Sequence, residues 1–171
     1  ILHMTLFSAN LGFLWNDLAL PDAIRAAHRH GFDAVECHWP YGIAASEIRT
    51  ALEETGIPML GLNTPLAIDD DDNFGLAAVP GYEKEAREGV LTALSYAAEI
   101  GARGVHVMAG KAEKTHQAET TFIALLSFAA DAAAKQGKEI WIEAINPIDV
   151  PGYYLNRTDA AIKLIKAVGA P

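Results

Sequence analysis

The sequence is poor in the features that mark several large classes of protein. It has one cysteine, Cys37, in 171 residues, so no internal disulfide can form and a reducing compartment is expected. Basic residues are scarce: 13 Lys and Arg stand against 22 Asp and Glu, a formal charge of -9. Binding to a nucleic-acid backbone draws much of its affinity from clustered Lys and Arg, and no basic stripe occurs, so no nucleic-acid partner is expected. No apolar run is long enough to span a bilayer, and the opening Ile-Leu-His-Met-Thr-Leu-Phe-Ser-Ala-Asn has no positive stretch followed by an apolar core. Neither a membrane partner nor secretion is expected, which leaves the cytoplasm. Also missing are Gly-x-Gly-x-x-Gly, a phosphate loop ending in Gly-Lys-Ser/Thr, His-Glu-x-x-His and paired Cys-x-x-Cys. Nucleotide cofactors and structural zinc therefore have no sequence support.

What is present is apolar and regular. A chain of 171 residues that is 51% hydrophobic and 20% charged can bury one core, and a single domain over 1–171 is expected. Its cadence is repetitive: an amphipathic segment ends in glycine, a few residues follow, and a short apolar strand begins. Gly31, Gly56, Gly101 and Gly137 mark those helix ends, where a left-handed backbone costs glycine less than any residue with a Cβ. Helices are predicted from Pro21-Asp22, from a capping Ser46, after Pro80-Gly81, around Phe122 to Ala133, and from Thr158. Strands alternate with them at Thr5 to Ala9, Asp33 to Glu36, Pro58 to Leu62, Gly104 to Met108 and Glu139 to Ile142.

Five βα units with short connections imply parallel strands joined by right-handed crossovers. The fold class is thus α/β, and two architectures accept it: a complete five-stranded flavodoxin-like open sheet, or the first five βα units of a (β/α)₈ TIM barrel. Val168-Gly169-Ala170-Pro171 repeats the cadence and stops where a sixth strand would begin, which favours the partial barrel. Such an arc has open edges at its first and fifth strands, through which copies could self-associate. The longest connection, Thr64 to Pro80, holds Asp69-Asp70-Asp71-Asp72-Asn73. It lacks the alternating ligands and central glycine of a calcium loop and reads as a solvated loop where a lid belongs.

In α/β folds ligands sit at the carboxyl ends of the strands. Those positions carry Asn10, Glu36 with His38, Asn63, His106, and Glu143 with Asn146. Each has a plain structural alternative. Glu36 can pair with a neighbouring cation, and His106 can be a hydrogen-bonded core histidine. Glu143 stands where the apolar run 139–142 gives way to turn residues, and is either a satisfied carboxylate or a metal ligand and proton-transfer base. Cys37 has no nucleophile motif around it and reads as a small buried residue, while Asn156-Arg157-Thr158 reads as a helix start.

Several segments together resemble one family: Phe-Ser-Ala-Asn-Leu at 7–11, Trp-Pro-Tyr at 39–41, Leu-Asn-Thr-Pro at 62–65, Phe-Gly-Leu-Ala-Ala-Val-Pro-Gly at 74–81, His-Val-Met-Ala-Gly at 106–110, Ile-Glu-Ala-Ile-Asn at 142–146 and Asp-Val-Pro-Gly-Tyr-Tyr-Leu at 149–155. From about Phe7 onward the chain resembles the hydroxypyruvate isomerases, within the xylose-isomerase-like (AP endonuclease 2 type) TIM barrels. The resemblance implies an enzyme that moves a carbonyl and a hydroxyl between adjacent carbons of a small keto acid, such as hydroxypyruvate to tartronate semialdehyde, through an enediolate. It implies a divalent metal, Mg²⁺ or Mn²⁺, and gives Glu143 the roles of metal ligand and acid/base. Asn10, Glu36, Asn63, His106 and Asn146 would then surround the substrate. The family's remaining ligands and second catalytic Glu come from later strands than these five. Relatives with the same motifs isomerise 2-oxo-tetronates, so three- and four-carbon substrates both stay open. A non-catalytic binding or half-barrel module is the alternative from another class.

Overall fold

A computed structural model describes residues 5–66 and 71–170. All five predicted units form. The strands are β1 (Ser8–Asn10), β2 (Ala34–Glu36), β3 (Gly61–Asn63), β4 (Gly104–His106) and β5 (Glu139–Trp141). The helices are α1 (Leu20–Arg29), α2 (Ala45–Thr55), α3 (Glu83–Ile100), α4 (His116–Ala134) and α5 (Thr158–Val168). Pairing is parallel for β1 with β2, β3 with β4 and β4 with β5. A single parallel bridge between Val35 and Met59 joins β2 to β3, supported by Leu60 N donating to Val35 O at 2.7 Å and Cys37 N to Gly61 O at 3.1 Å. The spatial order is therefore 1-2-3-4-5, that of a barrel wall. A flavodoxin-like sheet would place the first strand between the second and third.

Alternate strand residues face opposite ways. One face buries Ala9, Val35, Leu62 and Val105 against Ile24, Ile48, Val90, Leu94 and Phe122 of the helices. Burial of each large apolar side chain contributes about 1.5–3 kcal/mol, against about 0.5–1.5 kcal/mol net for each hydrogen bond of a three-residue ladder. The strand-helix layer therefore holds the arc together, and the ladders set its register. Among the described residues no helix is long and apolar enough to cross a membrane.

The helix ends follow the glycine cadence: Gly56, Gly101 and Gly169 cap α2, α3 and α5 with φ of 68°, 73° and 65°. The helix starts follow it less closely. Ser46 does not cap α2; the chain is extended at Ala44, which takes the N-cap position, so Ser46 already lies inside the first turn. The side-chain cap occurs instead at Thr115, whose hydroxyl accepts from Ala118 N at 3.1 Å to start α4. The ladders are also shorter than the apolar runs, and β1 and β3 sit one to three residues later than those runs suggest. The predicted burial of the fifth strand is only partial: Glu139 is exposed and Ile140 and Trp141 are half-buried, because the outer edge of β5 has no partner strand among the described residues.

Asp69 and Asp70 of the acidic connection lie outside the described residues. Its end, Asp71–Asn73, forms a short 3-10 turn and is fastened rather than free-standing. Lys111 N donates to Asn73 O at 2.9 Å, and Lys111 Nζ pairs with Asp72 at 2.5 Å.

Candidate active site

The inward face of the arc has two levels. The lower one is built on glycine: Gly61 and Gly104 face each other in register with Glu139, and the indole of Trp141 lies across both. A Cβ added at Gly61 would stand 2.3 Å from Trp141 Cζ3, and one at Gly104 would stand 2.6 Å from Cε2. The indole N–H donates to Glu139 at 3.0 Å, and the same carboxylate pairs with Arg103 at 2.9 Å. Those bonds, that to Arg103 first, hold the Glu139 carboxyl below its usual range. Trp141 thereby becomes a floor.

Above this floor opens a cleft of about 760 Å³, lined by Asn10, Glu36, Asn63, His106, Glu143 and Asn146 together with His38. All the strand-end residues singled out in the sequence thus meet in one place, although their chemistry differs. Asn10 and Asn146 spend their side-chain oxygens on closing turns. Asn10 Oδ1 accepts from Gly12 N at 2.9 Å, and Asn146 Oδ1 accepts from Ile148 N and Asp149 N at 3.0 Å each. Glu36 has no ion-pair partner among the described residues, so its structural alternative is not realised there.

Glu143 faces the open cleft. Desolvation by the walls, then the negative charge of Glu36, push its carboxyl above the usual carboxylate range. His106 is held by its neighbour in register: Nδ1 lies 3.1 Å from Asn63 Oδ1. Burial, then the nearby His38, lower its pKa to about 4, so the ring is neutral at physiological pH. Its Nε2 is closed off from solvent and has no partner among the described residues. An unmet buried hydrogen-bonding atom costs about 1–3 kcal/mol.

An aromatic rim escaped the sequence reading. Phe13 meets His38 edge-on at 5.0 Å between centroids, His38 meets Trp39 at 5.1 Å, and Trp39 meets Phe74 at 6.4 Å. The rings come from three loops far apart in the chain; His38, Trp39 and Phe74 each lie in a segment legible in the sequence and Phe13 does not, while their convergence is written nowhere locally. The imidazole of His38 rests on Gly12, where a Cβ would approach it to 2.2 Å. Cys37, at the wall of the cleft, is buried, and burial raises its thiol to about 12, in keeping with a small buried residue.

Among the described residues no three of His, Cys, Asp and Glu converge closely enough to hold a metal ion. The carboxylates of the cleft do not by themselves fit a metal centre. What the cleft does combine is a carboxylate with raised proton affinity, a second negative charge within electrostatic reach, and a neutral imidazole.

Parallel strands in sequential order, helices on the outer face and a polar cleft at the strands' carboxyl ends define the TIM-barrel class of α/β proteins. The chain belongs to the xylose isomerase-like TIM barrel family, whose model matches residues 24–171. It is 41% identical to the 2-oxo-tetronate isomerase of Cupriavidus necator over 98% of this chain and 65% of that protein. It is 32% identical to the hydroxypyruvate isomerase of Escherichia coli over 97% of this chain and 66% of that protein. The chain thus spans about two thirds of the length of these relatives. Among solved structures it resembles an AP endonuclease, family 2, from Brucella melitensis, with a TM-score of 0.92 and 32% identity over 98% of this chain and 66% of that one. A D-allulose 3-epimerase from Methylomonas sp. shares the fold, with a TM-score of 0.79 at 18% identity over 97% of this chain and 60% of that one.

Proposed function

We propose that this chain forms the first five βα units of a barrel enzyme that isomerises a small 2-keto acid, interconverting hydroxypyruvate and tartronate semialdehyde or the corresponding four-carbon 2-oxo-tetronate pair. The observation that carries the reading is Glu143, a carboxylate of raised proton affinity in a cleft shared with Glu36, Asn63 and His106. In its ionised form it takes a proton from the hydroxyl-bearing carbon next to the ketone, and the electron pair moves onto the carbonyl oxygen as an enediolate. The hydroxyl proton passes to the former carbonyl oxygen, and returning the carbon-bound proton to the neighbouring carbon then moves the carbonyl by one position with no net oxidation. The raised proton affinity brings the carboxyl nearer the pH at which it can both take and give a proton. The names of the Cupriavidus necator and Escherichia coli relatives support the reaction class.

Mg²⁺ or Mn²⁺ in the complete protein would polarise the substrate oxygens and take Glu143 as one ligand. The described residues supply no converging set beside it, and the proton transfer rests on Glu143 itself. A single cysteine, buried in the core, supports a reducing, cytoplasmic setting. The test is to assay the full-length protein with hydroxypyruvate and with a 2-oxo-tetronate, for the native sequence and for Glu143→Gln. A fall in kcat of about 10²–10⁴-fold is expected. Undiminished turnover by Glu143→Gln overturns the reading, and turnover unaffected by complete chelation removes the metal from it.

A further inference from the structure

We infer that His106 reads the substrate's hydroxyl group, its bare Nε2 accepting the O–H hydrogen, and that Asn63 is the positioning residue that fixes the tautomer required. The inference rests on the isomerase reading above and assigns a specificity element within the same cleft.

Three observations lead to it. First, the amide oxygen of Asn63 faces His106 Nδ1 at 3.1 Å. An amide oxygen only accepts, so Nδ1 carries the hydrogen, and a neutral ring then leaves Nε2 as a lone pair. Second, both partners are anchored by their backbones. The Tyr41 hydroxyl donates to Asn63 O, Asn63 N donates to His38 O at 2.9 Å, and Thr64 N donates to His106 O at 2.9 Å. Third, Nε2 is buried and unpartnered among the described residues while its ring forms part of the cleft wall. Buried acceptors are almost always satisfied, and an exception beside a cleft marks where a ligand's donor belongs. Because Nε2 lies just beneath the lining, ligand entry must turn a lining side chain aside.

The chemistry of the ligand selects the donor. The carboxylate and ketone oxygens of a 2-keto acid have no hydrogen to give, and a lone pair repels them. Only the hydroxyl can satisfy Nε2. The residue therefore separates hydroxylated keto acids from plain ones, since a site built to bond a hydroxyl rejects an analogue that lacks it.

The test uses the full-length protein with ¹⁵N-labelled histidine. Imidazole ¹⁵N spectra at neutral pH are expected to show His106 protonated at Nδ1 and bare at Nε2, with the Nε2 resonance moving on addition of hydroxypyruvate and staying put with pyruvate. Asn63→Leu should release the Nε2–H tautomer, and Asn63→Asp should restore Nδ1–H. In kinetics, His106→Phe should raise KM for hydroxypyruvate roughly ten- to hundredfold while leaving inhibition by pyruvate unchanged. Should that variant misfold, the tautomer and ligand shifts of the native protein decide alone. A protonated Nε2 in the free protein, or an unchanged preference for hydroxypyruvate over pyruvate in His106→Phe, overturns the inference and leaves the isomerase reading standing. Failure of the native protein to bind or turn over either hydroxy-keto acid overturns both.

Discussion

Replacing Gly104 by alanine tests the two-level interior most directly. Gly104 does not adopt a left-handed φ, so the backbone accepts alanine, and the whole cost arises from what the new methyl meets. It would stand 2.6 Å from Trp141 Cε2, 2.7 Å from Cζ2 and 3.1 Å from Nε1, against an ordinary contact of 3.4–4 Å. Relief requires moving the rigid indole off the sheet, with its bond to Glu139 at 3.0 Å, or pushing β4 from β5. Overpacking of this kind costs about 1–3 kcal/mol. The lower chain entropy of alanine in the unfolded state returns about 0.4–1 kcal/mol, which leaves a net loss of up to about 2.6 kcal/mol. Urea unfolding should show a lower midpoint at unchanged m. Gly42→Ala is the control, because nothing lies within 4 Å of a Cβ there and its φ is not left-handed either, so it should be neutral or slightly stabilising. In a Trp141→Leu background the Gly104→Ala penalty should largely vanish, a coupling equal to the overpacking cost of about 1–3 kcal/mol. If the indole swings away instead, the stability loss shrinks but the ¹⁹F resonance of fluorotryptophan at position 141 must shift. Gly104→Ala as stable as Gly42→Ala, with that resonance unmoved, would refute the glycine-backed floor.

Stability should also report the neutral state of His106. Its folded pKa of about 4 lies below the ordinary 6.5, so the unfolded chain binds the proton first. The stabilisation is present above about pH 6.5 and lost as pH falls towards 4, a swing of up to roughly 3 kcal/mol. Urea titrations at pH 7, 5.5 and 4 should show a shallower decline for His106→Phe than for the native chain. Tyr153→Phe removes the hydroxyl that accepts from the buried Ala109 N at 2.9 Å, and should cost about 1–3 kcal/mol in the same assay. It also unpins the loop after β5 from the loop after β4, so amide exchange at Ala109 should accelerate. Cys37, buried and with its thiol raised to about 12, should resist alkylation in the native chain and react stoichiometrically once urea unfolds it.

The sequence betrays the features that are written locally. Glycine after an amphipathic run announces Gly56, Gly101 and Gly169 because a left-handed cap is a property of one residue and its neighbours. Strand-end residues such as Glu36, His106 and Glu143 are legible for the same reason: an apolar run ends, and its last polar residue lies where α/β folds place ligands. Strand order is not written locally. Flavodoxin-like sheets and barrels share the same alternation, and the junction of β2 with β3, the Val35–Met59 bridge with its flanking hydrogen bonds, separates them. Nor could the sequence show that Asn10 and Asn146 turn their oxygens back onto their own loops, although Asn-x-Gly and Asn-Pro-Ile-Asp are both turn-prone. The Trp141 floor depends on the register that sets Gly61 beside Gly104, two residues with no proximity in sequence.

Two departures from polar satisfaction and charge pairing meet in one place. The outer layer is apolar, tightly buried and satisfied, while the cleft holds an orphaned imidazole nitrogen, a carboxylate pushed towards protonation and a second negative charge close enough to push it. Each is unfavourable for the isolated chain, and nothing in the helix packing requires them together. Among the described residues the one buried side-chain atom without a partner and the two mutually repelling carboxylates both lie at the carboxyl ends of the strands, which concentrates that cost where a ligand can offset it. A hydroxyl donor for His106 and a transferable proton for Glu143 would answer two of those costs together. A hydroxylated keto acid carries both on one carbon, the one next to its ketone.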